Sequence, residues 1–281
     1  MKQSNVFIIL LFCLLSFFSV HAQENLDLFI KDSFGKPLPY ASVIWGRSMG
    51  LVSDTSGCLK IIDKSKIDSL IITAIGFTRK VISKESILNK SKIEIILQSG
   101  NVELPEVIVA KYSVNKEFGT VVKKETSYFK NRICINLQSA LLVKSYEHPS
   151  QCKSISVFIV KESSVELPYQ LRLYDIGADS LPGKDLITEN IIVNSYKTNS
   201  WNTYSFDSGY VQLPKNGFFV AIEWLCTDIK VENGLCLGLS NKVEEGLTYY
   251  KYGNTGWFQL KFKNVVSKDN VMLKTELLSV K

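Results

Sequence analysis

The sequence predicts an all-β protein built as two sandwiches in tandem: a smaller one over residues 23–98 and a larger, jelly-roll-like one over 112–281. Two observations carry this. Short apolar runs alternate with turn-forming residues along the chain, as in strands joined by hairpins and loops. Residues 23–281 are also too many for one small module and suit two β domains of ordinary size.

Residues 1–22 read as a secretory signal peptide. Lys2 supplies a positive start, Val6 to Val20 an apolar stretch and Val20-His21-Ala22 a small-residue end, so cleavage is expected after Ala22. A membrane anchor needs about 20 uninterrupted apolar residues; this stretch is shorter and runs into Gln23-Glu24-Asn25. Phe12 before Cys13 also argues against a lipid-anchoring site. The mature chain is expected to lack a transmembrane segment and to reside in the periplasm, at the outer membrane or outside the cell.

In the first domain, Leu26-Asp27-Leu28-Phe29-Ile30 opens a strand and Asp32 to Gly35 turns the chain. Pro37 and Pro39 forbid helix and fix an extended entry into Ala41 to Trp45. Asp54-Thr55-Ser56-Gly57 makes a hairpin turn, because Asp bonds its own downstream backbone and Gly accepts positive φ. Leu70 to Ile75 is a continuous apolar run, and Ile93-Glu94-Ile95-Ile96-Leu97 closes the unit. The order D-x-x-G-x-P-L-x-x-A-x-V, then S-D-x-x-G, then an apolar strand ending Ile75-Gly76-Phe77 resembles the carboxypeptidase regulatory-like domain of secreted and outer-membrane-associated Bacteroidota proteins. That resemblance covers roughly residues 24–98 and implies a transthyretin-like sandwich of seven strands. Such domains often precede TonB-dependent receptors, and Leu104 to Val109 resembles the segment leading into their plug. The chain is far too short for a plug and a 22-stranded barrel, so no receptor is expected.

Residues 99–111 read as a linker or bridging strand. Beyond them nine strand-like runs are expected: Arg132 to Leu137, Ile155 to Val160, Tyr169 to Ile176, Ile191 to Val193, Trp201 to Phe206, Gly217 to Leu225, Leu235 to Leu239, Trp257 to Lys263 and Asn270 to Leu277. Nine runs suit a jelly roll. Leu171 to Asp175, Leu181 to Leu186, Trp201 to Tyr204 and Phe218 to Trp224 together loosely resemble a C-terminal sandwich of secreted Bacteroidota proteins, one with no known active site.

The formal charge of +6 arises from 33 basic and 27 acidic residues, and the basic ones are spread along the chain. Nucleic acid is not implied. Cys58, Cys134, Cys152, Cys226 and Cys236 would outlast cleavage. In an oxidising compartment the shortest pairings join Cys134 to Cys152 and Cys226 to Cys236, leaving Cys58 over; the alternative is buried thiols acting as small hydrophobes. No CxxC spacing argues for a metal or redox site, and no cofactor is expected.

Three catalytic motifs each have a plain structural counterpart. A zinc peptidase needs several His and Glu ligands, and with His21 removed His148 stands alone. Gly46-Arg47-Ser48-Met49-Gly50 matches G-x-S-x-G as a string, yet a hairpin segment follows it where a helix is required. Paired carboxylates could serve a sandwich glycosidase, with Glu223 and one of Asp175, Asp179 or Asp185. The acids at 179 and 185 flank Leu181-Pro182-Gly183 and read as turn residues, while Glu223 reads as the wet face of an alternating strand. Aromatics are the stronger lead: Tyr249, Tyr250, Tyr252, Trp257 and Phe258 crowd around the turn Gly253-Asn254-Thr255-Gly256. Aromatic faces on exposed loops stack on sugars or anchor partners, although such residues more often belong to a core. Tyr250, Tyr252, Trp257 and Glu223 are therefore the candidate ligand contacts. The expected function is a secreted, non-catalytic binding or scaffold protein of the bacterial envelope, contacting glycan or a protein partner. Its rivals are a glycan hydrolase using Glu223 and an Asp, and a structural part of an envelope assembly.

Overall fold

A computed structural model of the chain describes residues 25–46, 49–100, 112–130, 136–144, 150–206, 211–226, 234–242, 245–262 and 265–280. The signal-peptide segment, Ser48, His148, Cys134 and most of the linker lie outside the described residues. No helix among the described residues is long and apolar enough to cross a membrane.

The first sandwich has seven strands: β1 (Leu26–Asp32), β2 (Ser42–Trp45), β3 (Met49–Val52), β4 (Cys58–Ile61), β5 (Ser69–Thr73), β6 (Lys80–Ser83) and β7 (Lys92–Leu97). One sheet orders β4-β1-β7, the other β3-β2-β5-β6. Strict alternation in β1 sends Leu26, Leu28 and Ile30 into the core against Val43, Leu70, Ile72 and Ile95. The polar signature residues are structural. Asp32 Oδ1 accepts the backbone N–H groups of Phe34 and Lys36 at 2.9 and 2.8 Å, closing the first turn. Asp54 does the same for Ser56 and Cys58 at 2.8 and 2.9 Å. Ser53, fully buried, donates to the Leu38 carbonyl at 2.7 Å and accepts from Ala41 N–H at 2.9 Å. Gly57 sits at φ +73°, where a Cβ would lie 2.5 Å from the Ile30 carbonyl oxygen.

The second sandwich comprises β8 (Tyr112–Gly119), β9 (Ser127–Lys130), β10 (Leu137–Lys144), β11 (Ser150–Ile159), β12 (Pro168–Ile176), β13 (Pro182–Asp185), β14 (Ile191–Asn194), β15 (Ser200–Ser205), β16 (Val211–Leu213), β17 (Gly217–Trp224), β18 (Cys236–Ser240), β19 (Thr248–Tyr252), β20 (Lys261–Phe262), β21 (Val265–Val266), β22 (Asn270–Val271) and β23 (Leu273–Val280). One sheet runs β13-β12-β17-β10-β19, with β14 also paired to β12; the facing sheet runs β22-β18-β11-β23-β8, joined by β9, β15 and β16. Leu171, Leu173, Val220 and Ile222 of the first sheet meet Ile155, Val157, Leu237 and Leu273 of the second in one core. Most expected runs became strands. Trp257 to Leu260 did not: Phe258 makes only an isolated bridge to Tyr250, and the short β20 begins at Lys261. β8 and most of β10 fall outside the expected runs.

The expected disulfides are corrected. Cys152 and Cys236 are free thiols buried in the second sandwich, so neither proposed pair forms. Burial pushes the Cys152 thiol up to about 12. Cys226 is disulfide-bonded instead. Its side chain reaches the core of the first sandwich, and its carbonyl accepts the Val52 N–H at 2.8 Å. A second polar link joins the domains, from the Asn136 amide to the Ser42 hydroxyl.

Candidate functional site

Antiparallel register places Gln170, Glu223, Gln138 and Lys251 in one row across β12, β17, β10 and β19. These side chains point away from the core formed by Leu171, Ile222 and Tyr250. The row behind holds Arg172, Ala221, Ala140 and Tyr249. Its two alanines are buried in a cluster with Tyr174, Tyr249 and Trp257, and Arg172 lies back toward Glu223.

Arg172 joins two carboxylates. Its Nε and Nη2 donate to Glu223 Oε2 at 2.6 and 2.5 Å, and its Nη1 to Asp185 Oδ2 at 2.9 Å. Gln138 adds a third donor to Glu223 Oε2 at 3.0 Å while accepting from the Tyr174 hydroxyl at 2.8 Å. Burial opposes the Arg172 charge, but the attraction of Glu223, then Tyr174 and Asp185, outweighs it and holds the guanidinium above its ordinary value. Burial raises Asp185, with Arg172 pulling the other way. Burial likewise raises the Tyr174 phenol.

The first sandwich stands over this face. Ser42, Ile44, Ile71 and Thr73 on one side and Gln138, Arg172, Glu223 and Lys251 on the other enclose a cavity of about 180 Å³. A wider cleft of about 710 Å³ shares Thr73, Gln138, Arg172 and Lys251 with it and extends between Ala74 to Phe77 and Gly183 to Thr188. Lys251 stands at the junction, half-buried, its ammonium 5.8 Å from the centroid of the Trp257 ring. Trp257 meets Tyr174 edge to face at 5.7 Å.

Of the four ligand contacts expected from sequence, two belong to this face and two do not. Glu223 is 2% exposed, contrary to the wet-face expectation. All of β17 is buried: on its outer face Phe219 and Ala221 pack with Tyr174, Tyr249 and Trp257, and Glu223 lies in the cavity shared with the first sandwich. Trp257 is half-buried beside the row. Tyr250, 1% exposed, and Tyr252, half-buried and stacked on Phe258 at 5.4 Å, pack on the core side, and Tyr250 is not available to a ligand. Asp179 is the turn residue expected, accepting Leu181 N–H at 3.1 Å, whereas Asp185 departs from that role by pairing with Arg172. Asp175 accepts the Lys184 N–H at 2.6 Å. Sequence reasoning missed Arg172, Gln138, Gln170 and Lys251. Alternation of Gln170, Arg172 and Tyr174 with Leu171 and Leu173 marks an outer face, but nothing local says that another domain covers it. Among the described residues no group of three or more His, Cys, Asp or Glu could hold a metal ion.

No protein-family model and no curated protein matches the chain. Among solved structures, the chain is similar to the cysteine protease and lectin-like domains of Cwp84, a surface layer associated protein of Clostridium difficile, at 12% identity and a TM-score of 0.42, covering 86% of this chain and 59% of that one. The infectious bursal disease virus VP2 subviral particle follows at 11% identity and a TM-score of 0.28, covering 85% and 60%. The chain thus spans about three fifths of the length of these structures. At this level of likeness neither carries an argument about function.

Proposed function

We propose that this chain is a non-catalytic binding protein of the bacterial envelope and that its ligand site is the cleft between the two sandwiches. One observation carries the reading: a row of polar and charged side chains, on a sheet face and under a second domain, borders a cavity with walls from both domains. Ligand sites favour such concave seams between domains, where a few polar groups converge. The first sandwich is read as a carboxypeptidase regulatory-like module; its seven strands and the turn roles of Asp32, Asp54 and Gly57 support that. Export by the N-terminal leader belongs to the same proposal.

The hydrolase reading is less favoured on chemical grounds. A general acid must hold a proton near neutral pH, and Glu223 shares a guanidinium with Asp185 and accepts three donors on one oxygen. Those bonds tie Glu223 into a structural network. Glycan-array binding by the exported chain together with reducing-sugar assays tests the two readings. Binding without turnover supports the proposal; sugar release abolished by Glu223→Gln would establish the hydrolase instead. Failure to retain any glycan or envelope protein would remove the binding reading.

A further inference from the structure

We propose that the cleft takes an acidic saccharide, seating its carboxylate, sulfate or phosphate group against Lys251 with Arg79 at the entrance. This deepens the binding reading above and rests on it. The argument is a charge balance. The small cavity is lined by three cations, Arg79, Arg172 and Lys251, and a single carboxylate, Glu223. The wider cleft adds one cation, Lys184, and two carboxylates, Asp175 and Asp185, so the cations still outnumber the acids by one; Asp185 and Glu223 are both committed to Arg172, and Asp175 accepts the Lys184 N–H. Lys251 and Arg79 make no hydrogen bond or ion pair among the described residues. For exposed Arg79 that is ordinary. For Lys251, half-buried beside the Trp257 ring, it is a cost that water does not fully relieve. Burial lowers its pKa, and Arg172 and Arg79 push the same way against Glu223. An anionic group placed there would supply the missing partner.

Two further features favour a saccharide as the bearer of that charge. Glu223 Oε1 makes no hydrogen bond among the described residues, while Oε2 is saturated with three donors. It is an acceptor suited to a hydroxyl. Tyr174, which lines the wide cleft and meets Trp257 at 5.7 Å, adds an aromatic ring near the ammonium, an apolar body with a polar tip of the kind that suits a sugar ring.

The test is isothermal titration of the full exported chain with a hexuronate tetrasaccharide, a sulfated and a phosphorylated oligosaccharide, a neutral tetrasaccharide and inorganic sulfate, with tryptophan fluorescence as a second readout. The variants are Lys251→Met, which keeps the stem, Lys251→Arg, which keeps the charge, and Ala74→Trp, which fills the wide cleft. Expected are binding of at least one acidic saccharide, affinity that falls with added salt, a loss of tenfold or more in Lys251→Met, retention in Lys251→Arg, and blockage in Ala74→Trp. If acidic and neutral saccharides bind alike, Lys251→Met binds unchanged and Ala74→Trp blocks, the cleft reading stands and the anionic one falls. Acidic binding indifferent to both Lys251→Met and Ala74→Trp would overturn both. Binding of inorganic sulfate alone, or of no saccharide, would overturn the saccharide assignment.

Discussion

Replacing Arg172 with Met is the sharpest test of the buried network. Arg172 is 14% exposed and Glu223 3% at the side chain, so removing the guanidinium leaves a carboxylate in a dry setting. Glu223 would lose its bonds from Nε and Nη2 and keep only Gln138 at 3.0 Å. Breaking a buried ion pair from one side costs about 3–5 kcal/mol. In a domain of this size, about 2–4 °C per kcal/mol puts the expected fall in Tm at about 6–20 °C. The double variant Arg172→Met/Glu223→Met should recover most of that, because an apolar replacement of a buried pair is often neutral or better. Asp185, 20% exposed and still bonded to the Ile187 N–H at 3.0 Å, tolerates the change. Urea denaturation of wild type, both single variants and the double gives the coupling energy directly. A loss below about 1 kcal/mol in Arg172→Met would place the pair with exposed salt bridges and refute the buried-network reasoning.

Ser53→Ala should cost about 1–3 kcal/mol in urea denaturation, since it strands the buried Leu38 carbonyl and Ala41 N–H. Gly57→Ala should cost at least about 1 kcal/mol, because its positive φ and the nearby Ile30 carbonyl both oppose a Cβ. For Lys251, burial and the facing Arg172 and Arg79 lower the pKa below its ordinary 10.5 while Glu223 resists. Protonated Lys251 is the form that attracts an anion, so acidic-saccharide affinity should fall as pH rises through that depressed value, and titration across alkaline pH reads the midpoint. The same sign applies to stability. A lowered folded pKa means the charged form is penalised, so Lys251→Met should keep or raise Tm near neutral pH; a clear fall would assign Lys251 a structural role. Native alkylation followed by mass spectrometry should label half-exposed Cys58 first and leave Cys152 and Cys236 unmodified until unfolding.

Much of the first sandwich was legible in the sequence because its turns are specified by local chemistry. Asp32, Asp54 and Gly57 act on atoms within a few residues, and a motif of that span carries its own explanation. The second sandwich was legible as β structure, with register left open. Tyr250 and Tyr252 share the core side, as their spacing implied, while Trp257 crosses to the other face after a turn held by the Thr255 N–H to Tyr252 carbonyl bond at 2.8 Å. Glu223 shows the limit. Its strand neighbours predict which way it points and say nothing of what lies above it.

From its residues alone, then, this chain determines an all-β architecture, two sandwiches and the turns of the first, since alternation and turn chemistry act over short separations. Only the tertiary structure decided that Arg172, Asp185 and Glu223 form one buried network, that Cys226 is oxidised while Cys152 and Cys236 are not, and that Lys251 makes no ion pair among the described residues at a cleft between domains. The physical reason is common to all three. Burial and charge compensation depend on which distant segments pack beside a residue, and local alternation and turn chemistry do not carry that information.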